Sequence, residues 1–304
     1  MDRIDFDGRA VIVTGAGNGL GRAHALDLGR RGACVVVNDF GVAVDGSGGS
    51  SDAADEVVAE IEASGGSAVP SYDSVATAEG GRAIVETAMS AFGRLDAVVN
   101  NAGILRNNSF GELTHEQLTG VLETHLLGAF YVSQPAFCVM RDAGYGRFVF
   151  TSSGSGLFGL TNQANYVAAK AGVAGLSSAV ALEGAAHGIR SNVVAPVAVS
   201  TRMAMMGGAA TSGTETPARL SEAAVAPMVV YLASKECAYS GSIFSAGGGR
   251  YARIMAASAP GWTASDGPAS PESVRDHLDE ITDLRSPLYF DTGDDEMRLI
   301  LRRP

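Results

Sequence analysis

Tyr166 and Lys170 stand four residues apart in a segment of good helical character, so both side chains fall on one helix face. Ala168, Ala169 and Ala171 flank them and leave the two long side chains alone on a smooth surface. An ammonium beside a phenol favours the phenolate and lowers its pKa toward neutrality. The pair therefore predicts a base that takes the proton of an alcohol while a hydride leaves for an acceptor. The chain holds 8 Tyr and only two Lys, so chance supplies a Tyr-x-x-x-Lys roughly 0.05 times. Ser153, thirteen residues before Tyr166, closes a β-branched run, where a hydroxyl can hold the substrate oxygen. Ser152 and Ser155 are the neighbouring alternatives.

A hydride acceptor needs a seat, and Thr14–Gly21 (T-G-A-G-N-G-L-G) lies between a strand-like and a helix-like segment. Glycines there let the backbone come close to a pyrophosphate, whose charge sits at the amide-rich helix start. Gly15, Asn18, Gly19, Leu20 and Gly21 are the predicted contacts. The second strand ends at Asp39, where a carboxylate accepts both ribose hydroxyls of NAD and repels a 2′-phosphate. Neither Asn18 nor Phe40 offers a cation to offset that repulsion, which favours NAD over NADP. Asp73 and Ser74, after the third strand, are placed for the adenine, and the small Asn101-Ala102-Gly103 turn after the fourth admits a ribose.

The elements that must position these residues follow from periodicity. Apolar, β-branched runs predict buried strands at Ala10–Thr14, Cys34–Asn38, Ala68–Tyr72, Ala97–Asn100, Arg147–Thr151, Arg190–Val194 and Gly241–Ser245. Helical patterns lie between them, near 19–31, 51–64, 77–92, 114–140, 164–186 and 221–234. This alternation predicts one α/β domain, a doubly wound parallel sheet of seven strands with helices on both faces. A glycine-rich loop (40–50) follows the second strand, and a Met-, Gly- and Thr-rich stretch (200–220) is long enough to be a lid. The domain is expected over 1–250, followed by a partly helical C-terminal extension, 251–304, with Glu272–Arg285 as its predicted helix.

Composition narrows the setting. Of 304 residues, 46% are hydrophobic and 18% charged, which excludes a disordered chain. A net charge of −11 argues against a nucleic-acid or anionic-membrane partner. Cys34, Cys138 and Cys237 are widely separated, which suits a reducing compartment and gives no metal-ligand spacing. No run is long enough to span a membrane, and the acid-rich start predicts no signal peptide, so a cytoplasmic protein is expected.

Over residues 8–249 the glycine turn, acidic strand tip, N-A-G, Ser153 and Y-x-x-x-K stand in an order and spacing that resembles the short-chain dehydrogenase/reductase family. The resemblance implies a tetrad of Asn, Ser, Tyr and Lys, with dimers or tetramers. Its Ser, Tyr and Lys fall on Ser153, Tyr166 and Lys170, and its Asn falls on His125, which can still relay protons through its two nitrogens. Pro196 to Thr201 occupies the family's P-G-x-I/V-x-T place with Val197 where Gly is usual; the match gives Pro196, Val199 and Thr201 to the cofactor. VTGAGNGLGRAHAL, VVNNAGILR and NQANYVAAKAG are further similar to the dehydrogenase part of the peroxisomal multifunctional enzymes of the second type. That likeness implies NAD-dependent oxidation of a 3-hydroxyacyl-CoA, with a 17β-hydroxysteroid or other apolar secondary alcohol as the alternative. Leu157, Phe158, Leu160, Met203, Met205 and Met206 are then the expected lining of an acyl or steroid pocket. A non-catalytic NAD-binding scaffold, suggested by loss of the tetrad Asn, is the reading from another class. The end, ILRRP, carries no S-K-L peroxisomal address.

Overall fold

Alternation along each strand divides the core in two. Val11 and Val13 of the first strand face one side of a sheet and Ile12 the other, all fully buried. The computed structural model describes residues 3–198, 220–264 and 267–301. The strands are β1 (Ala10–Thr14), β2 (Cys34–Asn38), β3 (Ser67–Ser71), β4 (Ala97–Asn100), β5 (Gly146–Thr151), β6 (Ile189–Pro196), β7 (Ser242–Gly247) and β8 (Arg250–Ile254). They form one sheet in the order β3-β2-β1-β4-β5-β6-β7-β8, and every pairing from β3 to β7 is parallel.

Helices α1 (Gly19–Arg30), α2 (Asp52–Ala63) and α8 (Ala226–Ala233) cover the first face. Leu28, Ile61 and Val229 meet Val13, Val37 and Val149 there. Helices α3 (Ala78–Phe92), α5 (Gly128–Ala143) and α7 (Ala164–Gly184) cover the second. Ile84, Val132 and Val173 meet Ile12, Val98 and Phe150 on that side. Each such Val or Ile contributes roughly 1.5–3 kcal/mol by leaving water.

The expected seven strands become eight. Gly248 and Gly249 make a two-residue turn after β7, and β8 returns along the edge of the sheet, a connection only an antiparallel pair allows. The single helix expected over 114–140 is interrupted: α4 (His115–Leu122), started by a capping box between Thr114 and Gln117, runs into a π-helical turn, Glu123–Leu127, before α5. A short helix, α6 (Gly154–Phe158), follows Ser153.

Two compact units divide at Arg253 and Ile254. The smaller contains α9 (Pro271–Asp276), α10 (Leu278–Ile281) and α11 (Gly293–Leu301). The expected helix over Glu272–Arg285 is therefore two short pieces, and the polar end carries a helix of its own. Trp262 stacks on His277 within this unit, ring centroids 4.0 Å apart. Among the described residues no helix is long and apolar enough to cross a membrane.

Candidate active site

Strand order reverses between β1 and β4, which opens a crevice at the C-terminal ends of the strands. A cavity of about 530 Å³ lies there. Its walls include Gly15, Asn18, Gly19, Leu20, Asp39, Asp73, Ser74, Asn101, Ala102 and Gly103 along one stretch, and His125, Ser153, Tyr166, Lys170 and Pro196 along another. The structure thus brings both predicted sets to one cavity. Gly21 is the exception among the described candidates. A Cβ there would stand 2.0 Å from the Gly15 carbonyl oxygen, so Gly21 closes the turn from behind. Val199 and Thr201, with Met203, Met205 and Met206, lie outside the described residues.

The residues present fit a nicotinamide dinucleotide. Asn18 precedes α1 without capping it through its side chain, so the first amides of that helix stay free for an anion. Gly17 leaves room where a Cβ would come within 2.8 Å of an Asp39 carboxylate oxygen. Asp39 accepts from the Gly17 amide (2.8 Å) and the Gly41 amide (2.7 Å), one bond on each oxygen. Each oxygen keeps a second lone pair, which matches two vicinal ribose hydroxyls. Asn101 braces the turn, donating to the carbonyls of Thr14 (3.0 Å) and Gly15 (3.2 Å). The Asp73 carbonyl accepts from Asn38, and its carboxylate accepts from Ser71.

At the other end, Ser153 stands at the N-cap of α6 and its Oγ accepts from the Ser155 amide at 3.1 Å. Ser152 is turned away, donating to the Lys170 carbonyl at 2.7 Å. Lys170 is buried, its Nζ donating to the Thr151 carbonyl at 2.7 Å and standing 5.6 Å from the Tyr166 ring centroid. Here the structure corrects an expectation. Burial raises the Tyr166 phenol above its usual value, and a hydrogen bond from Ser153, with no contribution from Lys170, pulls the other way. Burial also pulls the Lys170 ammonium down to about 7. In the ligand-free chain the proton therefore favours the phenol, because burial penalises the charged form of both groups.

His125, on the π-helical turn, is buried with its ring edge-on to Tyr166, centroids 5.2 Å apart. Its Nε2 lies 3.1 Å from the Ile104 amide nitrogen and 2.8 Å from the Ile104 carbonyl oxygen. Burial, reinforced by Lys170, holds it well below the usual imidazole range and so neutral. A second cavity of about 10 Å³ is lined by His125, Thr151, Lys170, Asn100 and Thr14. The Nδ1 of His125 and Oγ1 of Thr151 are buried with no hydrogen-bond partner among the described residues.

Leu157 packs toward the core, Phe158 and Leu160 are exposed, and none of the three lines the cavity. The apolar wall comes instead from residues the sequence did not single out, Val42, Val44 and Ile104, with Arg106 beside them. The length of the 40–50 insert was the available signal. Among the described residues no cluster of His, Cys, Asp or Glu could hold a metal ion.

A profile of the short chain dehydrogenase family matches residues 9–211. Peroxisomal multifunctional enzyme type 2 of Mus musculus is 44% identical over 290 residues, covering 92% of this chain but only 37% of that protein's length. Hydroxyacyl-CoA dehydrogenase ChsB1 of Mycobacterium tuberculosis is 37% identical over 252 residues, 79% of this chain and 77% of the relative. The crystal structure of a short chain dehydrogenase from Mycobacterium avium superposes with a TM-score of 0.78 at 38% identity, covering 93% of this chain and 99% of that one. With a switch-point crevice that carries a dinucleotide seat at one end and a Ser, Tyr and Lys at the other, the chain belongs to the short chain dehydrogenase family of nicotinamide-dependent oxidoreductases.

Proposed function

We propose that the chain is an NAD-dependent dehydrogenase that interconverts a secondary alcohol and a ketone, its substrate a 3-hydroxyacyl thioester of coenzyme A. The observation that carries the reading is the convergence of Ser153, Tyr166 and Lys170 on the cavity that also holds Asp39. The carboxylate of Asp39 favours two ribose hydroxyls and opposes a 2′-phosphate, which supports NAD. The hydroxyacyl thioester is supported by ChsB1, whose name records that activity.

When bound, the dinucleotide supplies the hydride acceptor. The positive charge of the oxidised nicotinamide would favour the Tyr166 phenolate, which takes the alcohol proton, and the Ser153 hydroxyl, which donates to Tyr166 in the ligand-free chain, would turn its hydrogen to the substrate oxygen. With one proton on the Thr151 carbonyl, the Lys170 ammonium keeps two donors for a ribose and for its surroundings. The small cavity between Lys170 and His125 has room for one water, which would bridge Lys170 and the Nδ1 of His125 and hold the lysine's proton in place. The proposed assembly is a homodimer or homotetramer, which light scattering measures.

Turnover of 3-hydroxybutyryl-CoA, with each enantiomer and with NAD and NADP in turn, tests the reading against 17β-estradiol. The expected result is oxidation of one thioester enantiomer with NAD, at a kcat/KM about 100-fold above that with NADP. Turnover of the steroid alone replaces the substrate class, and a preference for NADP overturns the role given to Asp39.

A further inference from the structure

The glycine-rich loop 41–50 is built into the cleft. Its base is tied to the ribose carboxylate, since the Gly41 amide donates to Asp39 at 2.7 Å. It folds on itself, the Ala43 amide donating to the Ser47 carbonyl (2.8 Å) and the Gly46 amide to the Ala43 carbonyl (2.9 Å). Its tip reaches the segment after β4, where the Leu105 amide donates to the Val44 carbonyl (2.8 Å) and Arg106 Nε to the Asp45 carbonyl (2.7 Å). Val42 packs with Ile104, Val121, Ala169 and Tyr166 in one small apolar cluster. The loop therefore joins the cofactor end of the cavity to the chemical end.

Arg106 is the fastener. While Nε holds the loop, Nη1 donates to the Glu116 carbonyl in the first turn of α4 at 3.0 Å. Two glycines make its seat. A Cβ on Gly120 of α4 would lie 2.6 Å from Nη1, and one on Gly46 would lie 3.2 Å from Nη2, at a position whose φ of +87° already favours glycine. Among the described residues no carboxylate lies within ion-pairing distance of this guanidinium. Its planar fork is spent on two backbone carbonyls of two different elements, a geometry that an ammonium cannot reproduce.

We propose that Arg106 is a positioning residue that fastens the loop 41–50 to α4 as the outer wall of the dinucleotide cleft, and thereby sets how long the cofactor stays bound. The inference rests on the cleft's taking a nicotinamide dinucleotide, and deepens that reading by naming what retains it. Lifting the loop would open the wall beside Asp39 and release Val42 from the Tyr166 cluster together.

Stopped-flow release of NADH from Arg106→Ala, Arg106→Lys and Gly120→Ala, with NADH titration by fluorescence, tests it. In all three, release should quicken about tenfold and Kd rise to match, the loss of roughly one fastening bond. Hydrogen exchange at the Leu105 amide should quicken in the cofactor-free variants. Gly120→Ala discriminates best, because an added methyl favours the helix, and an effect on melting alone would leave NADH untouched or bound more firmly. NADH release within about twofold of the unmodified chain in Arg106→Ala and Gly120→Ala overturns the inference. So does full retention by Arg106→Lys, which would make charge and not fastening the cause. A wild-type chain that binds no NADH overturns the dinucleotide reading itself.

Discussion

At the scale of single residues, a buried histidine ties the stability of this protein to pH. His24 of α1 is fully buried, and neither ring nitrogen has a hydrogen-bond partner among the described residues. Burial pulls its pKa down to about 3 from the ordinary 6.5. Below 6.5 the unfolded chain takes up a proton that the folded chain refuses, so acid favours unfolding, and the loss continues down to about 3. At about pH 5 the penalty is on the order of 2 kcal/mol. Urea midpoints for His24→Leu should therefore exceed those of the parent by an amount that grows as pH falls through this window; a constant difference would show that titration of His24 is not the cause. The same physics explains what the sequence did and did not disclose. Ser153, Tyr166, Lys170 and Asp39 were legible because each sits on a regular element or just past the end of one, where spacing fixes which groups meet. The direction of the Tyr166 and Lys170 shifts was not legible, because desolvation depends on neighbours distant in the chain.

At the scale of elements, the turn after β4 and the π-helical turn are fitted to each other. Gly103 leaves room for His125: a Cβ there would come 2.1 Å from the ring's Cε1. Gly103→Ala must displace the ring and break its bonding to Ile104. The expected cost is about 1–3 kcal/mol, a fall of roughly 2–5 °C in melting temperature, with turnover down about tenfold. Calorimetry and steady-state assay measure these; unchanged melting and turnover would mean that the His125 seat is not constraining. Runs such as VIVT and CVVVN made the central strands plain, being apolar on both faces as a covered parallel sheet requires. β8 escaped because Arg250, Tyr251 and Arg253 stand in an edge strand only partly buried, without a continuous apolar run. The π turn escaped because one extra residue in a helix hardly disturbs the period of its apolar positions.

At the scale of the whole molecule, a chain with a net charge of −11 still offers an anion one cleft lined by the first amides of α1 and by a buried lysine. That cleft follows from topology: the strand reversal opens the sheet at one place, and β1, β2, β4 and β5 all end there. The central claim is that Tyr166 moves the proton while the rest of the cleft holds the dinucleotide. Tyr166→Phe removes one oxygen and leaves Lys170, Ser153 and Asp39 in place, so single-turnover formation of NADH from a 3-hydroxyacyl-CoA reads the claim directly. The account predicts a rate lowered about 10³-fold with NADH affinity changed less than about twofold. A variant that keeps more than about a tenth of the parent rate, or loses its hold on NADH, would contradict it.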